Sequence, residues 1–221
     1  MYRQLNLYLF IWALVVVFYA CKQEERRLPY LGEKQVVSRT TADGQTIVDT
    51  VYHRIPPFRF INQEGDTITE KNFEGKVYVA DFFFTTCPTI CPKMSAEMLK
   101  VYEHFQNDDR VLFLSHSIDT KYDSVPVLKA YAEKLGVTAP KWHFVTGNRK
   151  DIYAIAEHYM VTASEDPAAP GGYVHSGALL LIDGQRHIRG VYNGTDPQDT
   201  KKLIEDIELL LKETASTHDE K

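Results

Sequence analysis

The chain has no run of basic residues, no internal repeat and no low-complexity tract, and only three of its 221 residues are cysteine. Without a basic run, and with 25 Lys plus Arg against 30 Asp plus Glu and a formal charge of −5, it lacks an electrostatic footprint for nucleic acid. The scarcity of cysteine excludes a disulfide-dense miniprotein. Twelve Gly and ten Pro are ordinary numbers and exclude a collagen-like chain. Hydrophobic residues at 44 % and charged residues at 25 % exclude a disordered one. The length suffices for one sizeable domain and not for two.

The front of the chain is different in kind. Residues 1–20 carry one charge, Arg3, and an apolar run from Leu7 to Ala20. That run is short for a membrane span and fits the core of a signal peptide. Cys21 follows at once, and the whole resembles a bacterial lipoprotein signal in which this cysteine becomes the lipidated first residue. Phe18 and Tyr19 depart from that pattern, standing where Leu and a small residue are usual. An uncleaved N-terminal anchor is the alternative. Either way the bulk of the chain is expected outside the cytoplasm, on the periplasmic side and tethered to a membrane. Residues 21–45 read as a lipidated tether, 46–214 as the domain and 215–221 as a polar tail. With Cys21 assigned to the lipid, Cys87 and Cys91 remain as a pair, which in an exported domain points to redox or metal chemistry.

Thr46–Tyr52 alternates as a strand does, and Phe58–Ile61 reads as the second strand of a front hairpin. Val77–Phe84 is a near-continuous apolar run, as in a strand buried on both faces. Helical spacing follows from Pro88 to about Phe105, then a buried strand at Val111–Ser115. A helix capped at Asp123 or Ser124 stops at Gly136. Trp142–Val145 is a short strand, and Asn148 opens a helix to about Tyr159. Ala178–Ile182 and His187–Tyr192 form a hairpin across Asp183-Gly184, and Asp196-Pro197 starts a last helix. This order predicts an α/β three-layer sandwich, a mixed central sheet flanked by helices, with an N-terminal β-hairpin extension. A cysteine pair at the first strand-to-helix turn makes the pattern resemble the thioredoxin fold.

Cys87-Pro88-Thr89-Ile90-Cys91-Pro92 begins where the buried strand ends, beyond the carboxyl end of the sheet, where ligands bind in α/β folds. Residues four apart share a helix face, so the two sulfurs can converge, and a helix N-terminus favours thiolate. Two convergent thiolates suit a soft ion such as Cu(I), or reversible disulfide chemistry. An inert disulfide is the bland alternative, but so tight a loop would be a poor staple. His175, in Tyr173-Val174-His175-Ser176, enters the strand that abuts the cysteine turn in a thioredoxin-like fold. It either completes a two-sulfur, one-nitrogen site open to Cu(I) or Cu(II), or is a loop histidine with no role.

These segments together resemble the Sco/SenC family, membrane-tethered copper metallochaperones that help assemble the copper centre of cytochrome c oxidase. The resemblance rests on Cys87–Pro92 after Asp81-Phe82-Phe83-Phe84, on Ser117-Ile118-Asp119 with Asp123 following, and on Tyr173–Ser176. It implies Cys87, Cys91 and His175 as copper ligands and a copper-bearing oxidase subunit, or another exported copper protein, as partner. Val174 departs from the family pattern, which has Asp at that place. Asp119 and Asp123 of the acidic loop, and Asp81 within the strand, are candidates for supporting the ligands or relaying protons. Asp81 lies six residues before Cys87, as a buried Asp does in thioredoxins. It keeps open a second reading, an extracytoplasmic thiol–disulfide oxidoreductase using Cys87 and Cys91 as its redox pair.

Overall fold

The computed structural model describes residues 26–41 and 43–219. Chain order is β1 (Lys34–Thr40), β2 (Thr46–Tyr52), β3 (Arg59–Asn62), β4 (Thr67–Thr69), β5 (Val77–Phe83), helix α1 (Cys91–Phe105) and β6 (Val111–Ser117). Then come α2 (Val125–Leu135), β7 (Trp142–Thr146), α3 (Arg149–His158), β8 (Ala163–Glu165), β9 (Tyr173–His175), β10 (Ala178–Ile182), β11 (Ile188–Asn193) and α4 (Pro197–Asp219).

The apolar run at β5 is buried at every position, so it needs sheet partners on both edges and layers on both faces. It has them. The seven-stranded sheet is ordered β11-β10-β5-β6-β7-β3-β4, with β5, β6 and β7 parallel and the other neighbours antiparallel. One face carries α1 and α2, where Tyr102 packs on Phe113 and Tyr131 on Phe83. Helix α4 joins that layer through Thr200, whose hydroxyl donates to Glu97 of α1 at 2.8 Å. On the opposite face Tyr159, at the end of α3, packs against Phe82 and His116. The mixed sheet between helical layers is the three-layer sandwich that the element order predicts.

Local chemistry explains several boundaries. Asn148 caps α3 by accepting from the Lys150 amide at 2.8 Å. Gly136 ends α2 in the left-handed region, at φ 73°, where its N–H meets the Ala132 and Glu133 carbonyls. Helix α1 begins at Cys91 and not at Pro88, so Cys87 lies in the preceding loop, where its amide bonds the Phe84 carbonyl at 3.2 Å. Pro92, and not Pro88, takes the first-turn position at which a missing N–H does no harm.

Two expectations for the front of the domain are corrected. The strand Thr46–Tyr52 pairs with Lys34–Thr40, inside the stretch read as tether, while Arg59–Asn62 pairs with β4 and β7. The turn decides the hairpin: Gly44 at φ 82° lets the Thr41 amide reach the Gln45 carbonyl at 2.8 Å. Upstream, Leu28 is 5 % exposed. Arg189 donates to the Leu28 and Pro29 carbonyls at 2.6 and 3.1 Å, and Glu213 accepts from the Leu28 amide at 2.7 Å. The segment from residue 26 to 31 is therefore a strap on the domain and not a free linker. Cys21 and residues 1–20 lie outside the described residues. Among the described residues no helix is long and apolar enough to cross a membrane.

Candidate metal centre

Strand β5 delivers the chain to the carboxyl end of the sheet, and the turn after Phe84 places Cys87 just outside the mouth of α1. Cys91 is the first helical residue, pointing back toward that turn. His175 arrives from the other side, at the end of β9, immediately before the chain enters β10 next to β5. One ligand atom from each of Cys87, Cys91 and His175 lies within 4.8 Å of the others. Both cysteines are free thiols, 8 % and 2 % exposed. The Sγ of Cys91 is 3.1 Å from His175 Nε2. Cys87 and His175 line a shallow groove together with Phe84, Thr89 and Val174. The sulfurs converge through the loop and not, as the spacing suggested, through a shared helix face.

The imidazole is oriented by its other nitrogen. Nδ1 lies 3.0 Å from the Ser176 carbonyl, so the proton sits on Nδ1 and the Nε2 lone pair faces the sulfurs. Burial lowers the His175 pKa, with the Ser176 carbonyl opposing, so the ring is neutral and fit to donate a lone pair. The two thiols are poised differently. Burial raises the Cys91 pKa strongly, and its thiol is used in holding the neighbouring sulfur. Burial also works against the Cys87 thiolate, but hydrogen bonds from the Cys91 thiol and from the Thr89 and Cys91 amides outweigh it and lower that pKa. Of the two, Cys87 is the sulfur whose thiolate the surroundings favour, and Cys91 the one they keep as a thiol.

The three carboxylates singled out in the sequence occupy different places. Asp123 accepts from the Thr85 amide at 3.1 Å, from the Thr85 hydroxyl at 2.5 Å and from the Ser117 hydroxyl at 2.5 Å. It pins the loop that leads to Cys87 onto the end of β6. Asp119 accepts from the Tyr122 amide at 3.2 Å and from the Tyr173 hydroxyl at 2.8 Å. Asp81 faces the α1–α2 layer, 3 % exposed, with one carboxylate oxygen left without a partner. Burial raises its pKa to about 7, which the Ser115 hydroxyl only partly offsets. None of the three joins the metal-competent cluster.

Other histidines stand apart from the cluster. His116 sits on the far face of the sheet, its ring 4.6 Å from Phe82 and edge-on to Phe60 at 5.6 Å. Burial lowers its pKa to about 3, so it is a neutral core ring. Tyr173 and Phe84, which the sequence marks only as members of the two motifs, pack beside the cluster. Their rings are 5.1 Å apart, and Phe84 meets His175 edge-on at 5.9 Å. Aromatic residues in a strand and a loop give no local sign that they pack against a ligand.

Residues 49–212 match the family model described as SCO1/SenC. The chain is 28 % identical over 166 residues to the SCO1 protein homolog of Bacillus subtilis (strain 168), covering 74 % of this chain and 86 % of that one. A SCO1/SenC family lipoprotein from Bacillus anthracis str. Ames superposes with a TM-score of 0.66 at 30 % identity, over 72 % of this chain and 95 % of that one. BsSco, described with a disulfide switch and as a member of the Sco family of cytochrome c oxidase assembly proteins, superposes with a TM-score of 0.62. It is 27 % identical and covers 71 % of this chain and 92 % of its own.

Proposed function

The chain belongs to the SCO1/SenC family, and we propose that it carries copper outside the cytoplasm for delivery to the copper-bearing subunit of cytochrome c oxidase. One observation carries this reading: two thiols and a neutral imidazole nitrogen within 4.8 Å of one another. The donor set fits copper. Thiolates are soft and select Cu(I), while imidazole accepts Cu(I) or Cu(II). Cys87, Cys91 and His175 would hold the cargo, and its entry displaces the thiol protons. The oxidase as destination is supported by BsSco, which is described as belonging to a family of cytochrome c oxidase assembly proteins.

His175→Ala tests the ligand set. Removing one of three donors is expected to weaken Cu(II) binding by at least about 100-fold, a loss at or beyond that seen when a ligand's supporting partner is removed. Cu(I), still held between two sulfurs, should weaken far less. Parallel titrations of the reduced protein with both ions check this, and unchanged Cu(II) affinity sinks the assignment. The contrast between a lowered Cys87 pKa and a raised Cys91 pKa favours a second reading, thiol–disulfide exchange on exported proteins. That activity needs no third donor, so its rate should fall far less than Cu(II) affinity in His175→Ala.

The position on a membrane follows from Cys21 and the apolar run before it, supported by the Bacillus anthracis relative described as a lipoprotein. Cys21→Ala is expected to release the domain from membranes or to leave an unprocessed precursor. Normal processing with full membrane retention would make an ordinary transmembrane anchor the better account.

A further inference from the structure

His175 is presented by a ribbon that the main sheet does not hold. Strand β9 has three residues and pairs with the three residues of β8, in a separate two-stranded sheet. A pair that short is not stable unaided. The contact from Nδ1 to the Ser176 carbonyl orients the ring but moves with the ribbon. Val174, next to the ligand, is 40 % exposed and gives the ring no support.

Tyr173 is the exception. Residues two apart on a strand point the same way, so Tyr173 and His175 share one face of β9. From there the Tyr173 hydroxyl reaches Asp119 at 2.8 Å, across 54 residues of chain, and Asp119 is 8 % exposed. Asp119 is fixed in turn: its carbonyl accepts the Asp123 amide at 2.9 Å, and Asp123 holds Thr85, two residues before Cys87. A continuous chain of hydrogen bonds thus joins the loop of the first cysteine to the strand of the histidine. Besides this bond, the ribbon's side chains meet the site where Tyr173 and His175 pack on Phe84 and His175 touches Cys91. Its ion pairs of Glu165 with Lys121 and Arg149, at 3.4 and 2.9 Å with about half or more of each cation exposed, add little.

We propose that the Tyr173 hydroxyl is a latch which, through Asp119, positions His175 against Cys87 and Cys91, and that opening it turns a three-donor site into a two-donor one. The proposal rests on the copper reading of the site. A hydrogen bond to a buried carboxylate is among the stronger neutral-to-charged kinds. Its loss leaves the ring of Tyr173 on Phe84 and the two thiols untouched, so the histidine's contribution alone is diluted.

Tyr173→Phe removes the hydroxyl and keeps the ring. In the reduced protein we expect Cu(II) to bind about tenfold more weakly, with a weakened sulfur-to-Cu(II) absorption band, while Cu(I) affinity stays within about twofold. In the metal-free reduced variant the His175 ring resonances should broaden or shift in NMR spectra. Asp119→Asn is the conservative control. Both the Tyr122 amide and the Tyr173 hydroxyl donate to the same Asp119 oxygen, which an Asn can supply without the charge, so this variant should lose less Cu(II) affinity than Tyr173→Phe does. Unchanged Cu(II) affinity and His175 resonances in Tyr173→Phe overturn the latch, as does an equal loss for both copper ions, which would mean general damage. Failure of the wild type to take copper would instead remove the copper reading, and the metal-free spectra would then judge the latch alone.

Discussion

Oxidising the Cys87–Cys91 pair is expected to abolish copper uptake, the largest change available at this site. Both sulfurs are free thiols within the 4.8 Å cluster, and a donor must be deprotonated sulfur. A disulfide offers neither thiolate, which leaves His175 as the single protein donor. Five residues in sequence span the two cysteines, so little chain need move to close the bond. The differing thiols set the direction of attack. On the thiol–disulfide reading, Cys87, with its lowered pKa, would engage an incoming disulfide and Cys91 would resolve the mixed species. Each turn of that cycle would switch copper binding off or on. Copper titration of protein oxidised and then re-reduced checks both halves. One equivalent bound by the fully oxidised protein would contradict the ligand set, and failure of reduction to restore binding would contradict reversibility.

Asp81→Asn is expected to stabilise the domain at neutral and alkaline pH and to leave it unchanged near pH 4. In the fold Asp81 keeps its proton up to about pH 7, because burial penalises the charged form, whereas the ordinary carboxyl value is 3.8. Between those values the folded state binds one proton more than the unfolded chain. Stability therefore falls as pH rises from about 4 to 7, and by pH 8 the loss is complete. A shift of about three pKa units corresponds to a ceiling of about 4 kcal/mol. An amide cannot ionise and escapes that loss, though its N–H groups, buried where Asp81 Oδ1 has no partner, reduce the gain. Thermal unfolding of both proteins at pH 4.5 and pH 8 is the measurement, and a constant gap between their melting temperatures would refute the buried-carboxyl account. The same variant tests the proton-relay candidate. If Asp81 exchanges a proton with Cys91, thiol–disulfide exchange near pH 7 should slow while copper affinity holds.

Much of this architecture was legible along the chain, because burial and turn chemistry act over a few residues. The apolar run from Val77 reads as a strand covered on both faces, and it is one. Ser124 and Gly136 bracket α2, with Gly136 closing it in the left-handed region while the Ser124 side chain makes no cap bond, and Asp183-Gly184 joins β10 to β11. The Cys87–Cys91 segment at the end of that strand announced soft-ligand or redox chemistry by residue type and place alone. Alternation also marked Thr46–Tyr52 as a strand, but it could not name the partner. Pairing with Lys34–Thr40 depends on a left-handed glycine in the turn between them.

What only the tertiary structure decided are the meetings of residues far apart in sequence. Cys91 meets His175 across 84 residues, and Tyr173 meets Asp119 across 54. The strap from residue 26, read as tether for its polarity, docks because Arg189 and Glu213 wait there to satisfy its backbone groups. Asp81 has its raised pKa for the same kind of reason: packing around β5 removes its water and leaves one oxygen unpaired. Periodicity records which side of an element is apolar. The partner that a hydroxyl, a carboxylate or an imidazole finds depends on the path of the whole chain, and that path exists only once the sheet has closed around β5.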